Sequence, residues 1–189
     1  MSIFDHLLKR DLAHVKRFNN RPVHFPESVA EHSFYVSYFT QILCWALGEE
    51  KIEVNTERAV KMALIHDQEE GFSGDILTPF KYFNEEVAAA IREVNNQTIE
   101  MMFEDLDEKL KKDFVALWHE EQSRKSLESQ VVKVADGLSL ISKCFEEIEA
   151  GNSYFEEIYK RILKDLKNLD YSWWQKIRPR VLSGTEKEV

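Results

Sequence analysis

The chain has 189 residues, of which 43% are hydrophobic, and a formal net charge of −9 at pH 7. This length and composition suffice for one domain with its own core, while only six glycines and four prolines leave little room for many strands and turns. The negative charge argues against a broad surface for long nucleic acid, and no apolar run approaches the roughly 18 residues of a membrane span.

The first part of the chain predicts two helices. Apolar residues spaced by three and four predict an amphipathic helix over residues 3–18. Ser28 and Glu31 have the form of a capping box, in which each side chain accepts a hydrogen bond from the other residue's amide. A second helix therefore begins at Ser28 and places His32 in its first turn. We expect this helix to stop near Gly48, because glycine suits the left-handed position at a helix end.

The next part of the chain predicts two more helices with a loop between them. Thr56 is predicted to cap the third helix, and the pair His66 and Asp67 lies near the end of that helix. Residues 68–83 combine polar and aromatic side chains with helix-breaking glycine and proline, which is typical of a loop that carries chemistry on a rigid scaffold. Asn84 is predicted to cap the fourth helix.

Four further helical patterns follow. A short one includes residues 110–118, and the longest runs over residues 126–150 with Asp136 in its middle. Residues 153–168 and 171–182 repeat the amphipathic pattern.

These patterns predict an all-α, single-domain helical bundle over residues 1–189, because no repeat, low-complexity linker or strand-like alternation interrupts them. The core is expected over about 3–182, with a polar tail at 183–189 that frays. Cys44 and Cys144 lie inside apolar patterns and are predicted to be reduced core thiols. The absence of a signal-peptide pattern and of an apolar run long enough to span a membrane predicts a cytoplasmic protein.

Two histidines and two aspartates are the strongest candidates for a metal site. His66 and Asp67 end an apolar run, and Asp136 lies between two small residues in an apolar helix, where an unpaired buried carboxylate would be costly. His32 would complete a four-donor set from three helices. Two imidazole nitrogens and two carboxylate oxygens suit Mn, Co, Fe, Ni or Zn. Each of these side chains alone could instead be satisfied by local hydrogen bonds.

The order of these residues resembles the H…HD…D signature of the HD-domain metal-dependent phosphohydrolases. More specific similarity to the YfbR-like 5'-deoxynucleotidase branch lies in the stretches 27–33, 73–84, 132–136, 143–147 and 150–152. The resemblance covers about residues 3–155. It implies a hydrolase that removes the 5'-phosphate from (deoxy)nucleoside monophosphates by attack of water activated by one divalent metal ion, which could be Co, Mn, Mg, Zn, Fe or Ni.

The resemblance also implies roles for individual residues. The matching metal ligands are His32, His66, Asp67 and Asp136. Glu70 matches the acidic residue that orients or deprotonates the attacking water, and Glu69 beside it is a rival for this role. Asp75 matches an aspartate that holds the sugar 3'-hydroxyl or assists protonation of the leaving oxygen.

The substrate-binding residues implied by the resemblance are Arg17, Phe18, Asp75 and Thr78. Arg17 and Phe18 fall where the family has an Arg-Trp pair that contacts phosphate and sugar, and Arg21 competes with Arg17 for the phosphate. Phe18 replaces a tryptophan that helps to reject the 2'-hydroxyl, so the smaller ring leaves more space at the sugar. Leu77 stands where the family usually has proline, which predicts a less rigid loop.

Alternatives to a nucleoside monophosphate phosphatase remain at this point. One is a nucleoside triphosphate phosphohydrolase of the same superfamily, and another is a non-catalytic metal-binding helical module. The family usually forms dimers, so a homodimer is expected. The aromatic residues of the last helix, Tyr171, Trp173 and Trp174, could supply a contact between subunits, although packing inside the chain is favoured.

Overall fold

The computed structural model describes residues 3–185, and these residues confirm the all-α prediction because they contain helices and no β-strand. In chain order, the α-helices of this part of the chain are α1 (Ile3–Leu7), α2 (Val29–Glu49), α3 (Thr56–Ile65), α4 (Glu70–Ser73), α5 (Thr78–Lys81), α6 (Glu85–Met102), α7 (Glu108–Ser123), α8 (Leu127–Glu149), α9 (Glu156–Asn168) and α10 (Ser172–Val181). Short 3₁₀ helices lie at Asp11–Ala13 and Ser153–Phe155.

Helix caps explain where several of these helices begin. The predicted capping box is present, since the Ser28 hydroxyl accepts from the Glu31 amide at 3.2 Å and the Ser28 amide donates to the Glu31 carboxylate at 2.7 Å. Asn84 caps α6, which confirms the prediction made for it, and Ser126 caps α8. The cap of α3 is Asn55 rather than Thr56, because the Asn55 side chain accepts from the amide three residues later.

The predicted stop of α2 at a left-handed Gly48 is wrong in its detail. Gly48 is helical, and Lys51 adopts the left-handed conformation with φ of 57°. The Lys51 amide donates to the Gly48 carbonyl at 3.0 Å, so the chain turns two residues after the helix ends.

The predicted helix over residues 3–18 is wrong beyond Leu7. The Arg17 amide donates to the Glu27 carbonyl and the Val29 amide donates to the Val15 carbonyl, each at 3.0 Å. These bonds hold residues 15–17 in an extended conformation beside the start of α2, and they replace the hydrogen bonds of a helix. This pairing brings Arg17 next to His32.

The segment predicted as a loop at residues 68–83 contains the short helices α4 and α5. Gly74 separates them with φ of 73°, a conformation that side chains other than glycine rarely adopt. The short pattern at residues 110–118 is part of the longer helix α7, which Asp107 caps. The pattern at 126–150 is confirmed as α8, and those at 153–168 and 171–182 correspond to α9 and α10 with their flanking turns.

Helices α2 and α8 are central to the packing. They contact each other and both contact α3, while α7 and α9 pack on α8 and α10 packs on α2. The fully buried core includes Leu47, Met62, Val134, Phe155 and Trp174. A second apolar cluster joins the end of α3 to α6 and α7, formed by Ile65, Ile99, Phe103, Leu106, Val115 and Trp118.

The aromatic residues of α10 pack inside the chain, as favoured above. Trp173 and Trp174 are buried, and the Trp174 indole donates to the Leu166 carbonyl at 2.8 Å. Both cysteines are buried and unpaired, which confirms the prediction of core thiols. Within the described residues, none of the helices has the length and apolar character to cross a membrane. Most of the predicted frayed tail, residues 186–189, lies outside the described residues.

Candidate metal centre and substrate cleft

The four predicted metal ligands converge between α2, α3 and α8. His32 lies in the first turn of α2, His66 and Asp67 follow the last residue of α3, and Asp136 lies in the middle of α8. His32 Nε2 is 3.6 Å from Asp67 Oδ2 and 3.3 Å from Asp136 Oδ1, and His66 Nε2 is 3.1 Å from Asp67 Oδ2. Ligand atoms of His32, His66 and Asp67 all lie within 4.8 Å of one another.

The two imidazoles fit a bound cation. Both Nε2 atoms are buried, and neither makes a hydrogen bond with the residues that the structure describes, although both face carboxylate oxygens. A buried nitrogen without a hydrogen-bond partner is costly, whereas a nitrogen that binds a metal ion is satisfied. His32, His66 and Asp67 therefore form a group that fits a divalent cation, and Asp136 lies 3.3 Å from His32 as a further carboxylate beside this group.

The other nitrogen of each imidazole has a partner that orients the ring. His66 Nδ1 donates to the Ala63 carbonyl at 2.8 Å, and in the neutral ring that binds a metal this leaves the Nε2 lone pair directed at the site. His32 Nδ1 lies 3.0 Å from Ser139 Oγ and 2.8 Å from an Arg17 guanidinium nitrogen. Arginine can only donate, so Ser139 is the neighbour that can accept a proton from His32 Nδ1.

Neighbouring charges keep the two aspartates ionised. Burial alone would raise the pKa of Asp67, but His66 and His32 lower it below its usual range. Burial would also raise the pKa of Asp136, and Lys133 together with His32 lowers it well below its usual value. Lys133 Nζ lies 3.0 Å from Asp136 Oδ2, one helical turn away on α8. Both carboxylates are thus available to bind a cation.

Glu69 and Glu70 have different surroundings. Glu69 is only 3% exposed, and its carboxylate accepts from the Trp118 indole at 2.8 Å and from the Asn95 amide at 3.4 Å. The partly buried Glu70 carboxylate accepts no hydrogen bond within residues 3–185. Burial, followed by the charges of Asp67 and nearby carboxylates, raises the pKa of Glu70, and Arg17 opposes this shift. The geometry favours Glu70 as the carboxylate with a free oxygen.

The four predicted substrate-binding residues line one cleft with a volume of about 120 Å³, together with Asn20, Arg21, Leu77, Pro79, Leu140, Ile158 and Arg161. Arg17 pairs with Glu27 at 2.6 Å and links this cleft to His32. Phe18 has φ of 55°, which is unusual for a residue other than glycine, and its amide donates to Asp75 Oδ2 at 3.3 Å. Asp75 therefore holds the backbone of the Arg17 segment in addition to lining the cleft.

A group of polar residues at the end of α8 holds the segment that precedes α2. The Glu147 carboxylate accepts from the amides of His24 and Phe25 at 2.8 and 2.9 Å and from the Asn152 side chain at 2.7 Å. Lys143 Nζ donates to the Phe25 carbonyl and pairs with Glu147. These contacts fix the segment that precedes α2 against the end of α8.

Three residues near the site were not predicted from the sequence: Lys133, Ser139 and Glu27, the partner of Arg17. A signal for the first two was present, because Lys133 and Ser139 lie three residues before and after Asp136 and therefore share its side of the helix. The Glu27 contact depends on the extended pairing of residues 15–17 with 27–29, which local periodicity does not detect.

Comparisons with known proteins are consistent with this site. A family model described as 5'-deoxynucleotidase YfbR-like matches residues 4–176. A 5'-deoxynucleotidase of Pectobacterium atrosepticum is 34% identical over 143 residues, and one of Enterobacter sp. strain 638 is 35% identical over 144 residues; each match covers 75% of this chain and 71% of the relative. An HD-domain phosphohydrolase from Listeria innocua, solved by crystallography, superposes with a TM-score of 0.81 at 28% identity, covering 99% of this chain and 92% of that chain.

Proposed function

Because this chain belongs to the YfbR-like 5'-deoxynucleotidase family of HD-domain phosphohydrolases, we propose that it removes the 5'-phosphate from deoxynucleoside monophosphates. The main support for the proposal is that ligand atoms of His32, His66 and Asp67 lie within 4.8 Å of one another, with Asp136 3.3 Å from His32. Arg17, which contacts His32, lines the neighbouring cleft. We propose that residues 1–189 form a single HD domain, whose core at about 3–182 contains the whole site.

In this proposal His32, His66, Asp67 and Asp136 hold one divalent cation. When bound, such an ion lowers the pKa of water and polarises a phosphoryl oxygen. Glu70 takes the proton of the attacking water on its free carboxylate oxygen. The positive charges of the ion and of Arg17 oppose the rise in the pKa of Glu70, and they favour the ionised form that a base requires.

The cleft residues bind and orient the nucleotide. Arg17 donates to the phosphate oxygens, since its guanidinium lies at the junction of the cleft and the metal centre. Asp75 accepts from the sugar 3'-hydroxyl, and Phe18 and Thr78 contact the sugar. Holding the phosphorus in line with the attacking water supplies much of the catalysis in such a reaction.

A phosphate-release assay tests this function. Nucleoside mono-, di- and triphosphates are each incubated with Mg, Mn, Co or Zn, and the products are identified. We expect orthophosphate and nucleoside from deoxynucleoside monophosphates. Release of a longer phosphate chain from a triphosphate would support the triphosphohydrolase alternative, and no turnover with any of the ions would support a non-catalytic module.

Two isosteric variants distinguish the candidate bases. Glu70→Gln should reduce kcat by about 100-fold or more while leaving metal binding intact, because it removes the proton acceptor and keeps the shape. Glu69→Gln is the matched control, and it should retain most activity because an amide oxygen can still accept from the Trp118 indole. The reverse pattern would make Glu69 the base.

We also propose that the chain forms a homodimer. Phe34, Tyr38, Ile42 and Trp45 form an exposed apolar stripe along α2, with Phe145 of α8 also exposed. Contiguous apolar surface of this kind is typical of a protein interface. Analytical ultracentrifugation should give a dimer for the wild type and a monomer for Ile42→Glu. An equally monomeric wild type would contradict this proposal.

The proposal places the enzyme in the cytoplasm. Deoxynucleoside monophosphates are intracellular metabolites, and buried unpaired thiols such as Cys44 and Cys144 are typical of proteins in a reducing compartment. Cell fractionation with an antibody against the chain would test this location.

A further inference from the structure

The wall of the substrate cleft includes two arginines that the proposed reaction does not use, Arg21 in the loop that follows Phe18 and Arg161 on α9. Arg161 lines the cleft from α9, one turn after Ile158. It makes no hydrogen bond or ion pair with the described residues. Arg17, in contrast, is engaged by Glu27 and His32. The donors of Arg161 are therefore available to a ligand in the cleft.

The surroundings of Arg161 include an apolar wall that suits a nucleobase. Leu77, Leu140 and Ile158 give the cleft an apolar wall, and the Phe18 ring packs edge-on against Phe155 at 5.0 Å to form another side. Flat aromatic rings are stabilised by such walls.

The chemistry of arginine determines which base it would select. Its guanidinium carries only donors, arranged as a planar fork that matches two neighbouring acceptors. Guanine offers this pair at O6 and N7, whereas adenine has an amino donor in place of O6. An arginine at this position therefore attracts a 6-oxopurine and disfavours adenine.

We propose that Arg161 is a specificity-determining residue that binds the O6 and N7 edge of a 6-oxopurine, so that dGMP and dIMP are preferred over dAMP. This inference rests on the proposed nucleotidase function. It concerns only the choice of base. The phosphate is assigned to Arg17, whose guanidinium lies beside His32.

The test measures kcat/KM of the metal-loaded enzyme for dGMP, dIMP and dAMP. The pair dIMP and dAMP is decisive, because neither base has a 2-amino group and the 6-position distinguishes them. Arg161→Met should lower kcat/KM for dGMP and dIMP by about tenfold, the lower range for one bidentate contact to a base edge, and change dAMP by less than about twofold. Arg161→Lys should also lose the preference, since lysine keeps the charge and loses the fork.

Lys160→Met is the matched control, because Lys160 is the neighbouring cation on α9 and pairs with Glu156 at 3.7 Å outside the cleft. It should leave all three substrates unaffected. An equal loss for dGMP, dIMP and dAMP in Arg161→Met would overturn the proposal and assign Arg161 to the phosphate or sugar. If the wild type hydrolyses none of them, the proposed function fails, and equilibrium binding of dIMP and dAMP to wild type and variant then decides the role of Arg161.

Discussion

Replacing Ser139 with alanine tests how the protein prepares His32 for a cation. Ser139 Oγ lies 3.0 Å from His32 Nδ1, and both side chains are buried. A histidine that binds a metal through Nε2 is neutral and carries its proton on Nδ1, where an acceptor fixes the ring. Because Arg17 cannot accept this proton, we expect Ser139 to be the partner of His32 in the metal-bound protein.

The expected magnitude follows from this single contact. Loss of such a partner weakens metal binding by about 10- to 100-fold, which is about 1.4–2.8 kcal/mol. With metal in excess, the stabilisation that the metal gives to the folded protein falls by the same amount. In a chain of this size 1 kcal/mol changes Tm by about 2–4 °C, so the metal-induced rise in Tm should shrink by about 3–11 °C.

The assay compares thermal unfolding with and without Mn or Zn, together with calorimetric titration of the metal-free protein. The Tm of the metal-free Ser139→Ala variant should change little, because Arg17 still donates to His32 Nδ1. Ser33→Ala is the matched control, since Ser33 is buried next to His32 and its hydroxyl has no partner within residues 3–185. Metal affinity equal to that of the wild type in Ser139→Ala, or an equal loss in Ser33→Ala, would refute the reasoning.

Three other substitutions probe the packing, the loop and the sugar site. Gly137→Ala should lower Tm by a few degrees, because the added Cβ would lie 2.8 Å from Leu166 Cδ2. Overpacking typically costs about 1–3 kcal/mol, against roughly 1 kcal/mol gained in helix propensity. An unchanged Tm would mean that Leu166 moves freely. Glu147→Gln should lower Tm at neutral pH, and the difference from wild type should disappear as the pH falls from about 4.5 to about 2. Burial raises the pKa of Glu147, but hydrogen bonds from the amides of His24 and Phe25 lower it to about 2 in the folded protein. The ionised carboxylate therefore stabilises the fold above its pKa in the unfolded chain, and this stabilisation is lost as the pH falls through the folded pKa. A difference in Tm that is constant with pH would contradict this. Phe18→Trp should reduce kcat/KM for AMP relative to dAMP by several-fold, since the larger ring occupies space beside the sugar; equal ratios in the two proteins would show that Phe18 does not select the sugar.

The sequence was sufficient where the determinants are local or strongly restricted in chemistry. The capping box at Ser28 involves residues three apart, and its geometry is found as predicted. The extended conformation of residues 15–17 was not predictable in this way, because their long-range pairing with residues 27–29 overrides their apolar spacing. The cap at Asn55 was missed because a neighbouring threonine has the same preference. Arg161 was missed because helical periodicity identifies the buried face and says nothing about which exposed arginine borders a cleft.

Helix α8 connects the metal centre with the loop that precedes α2. Its polar residues Lys133, Asp136, Ser139, Lys143 and Glu147 recur every three or four positions, and this spacing places them along one side of a helix. The first three contact one another or His32, and the last two hold the backbone of Phe25. The segment around Phe25 leads directly into α2, whose first turn carries His32. One side of α8 therefore provides Asp136 and also fixes the start of α2, which carries His32. Loss of the contacts that Glu147 makes with the loop is therefore expected to change the metal centre, although Glu147 is not one of its ligands.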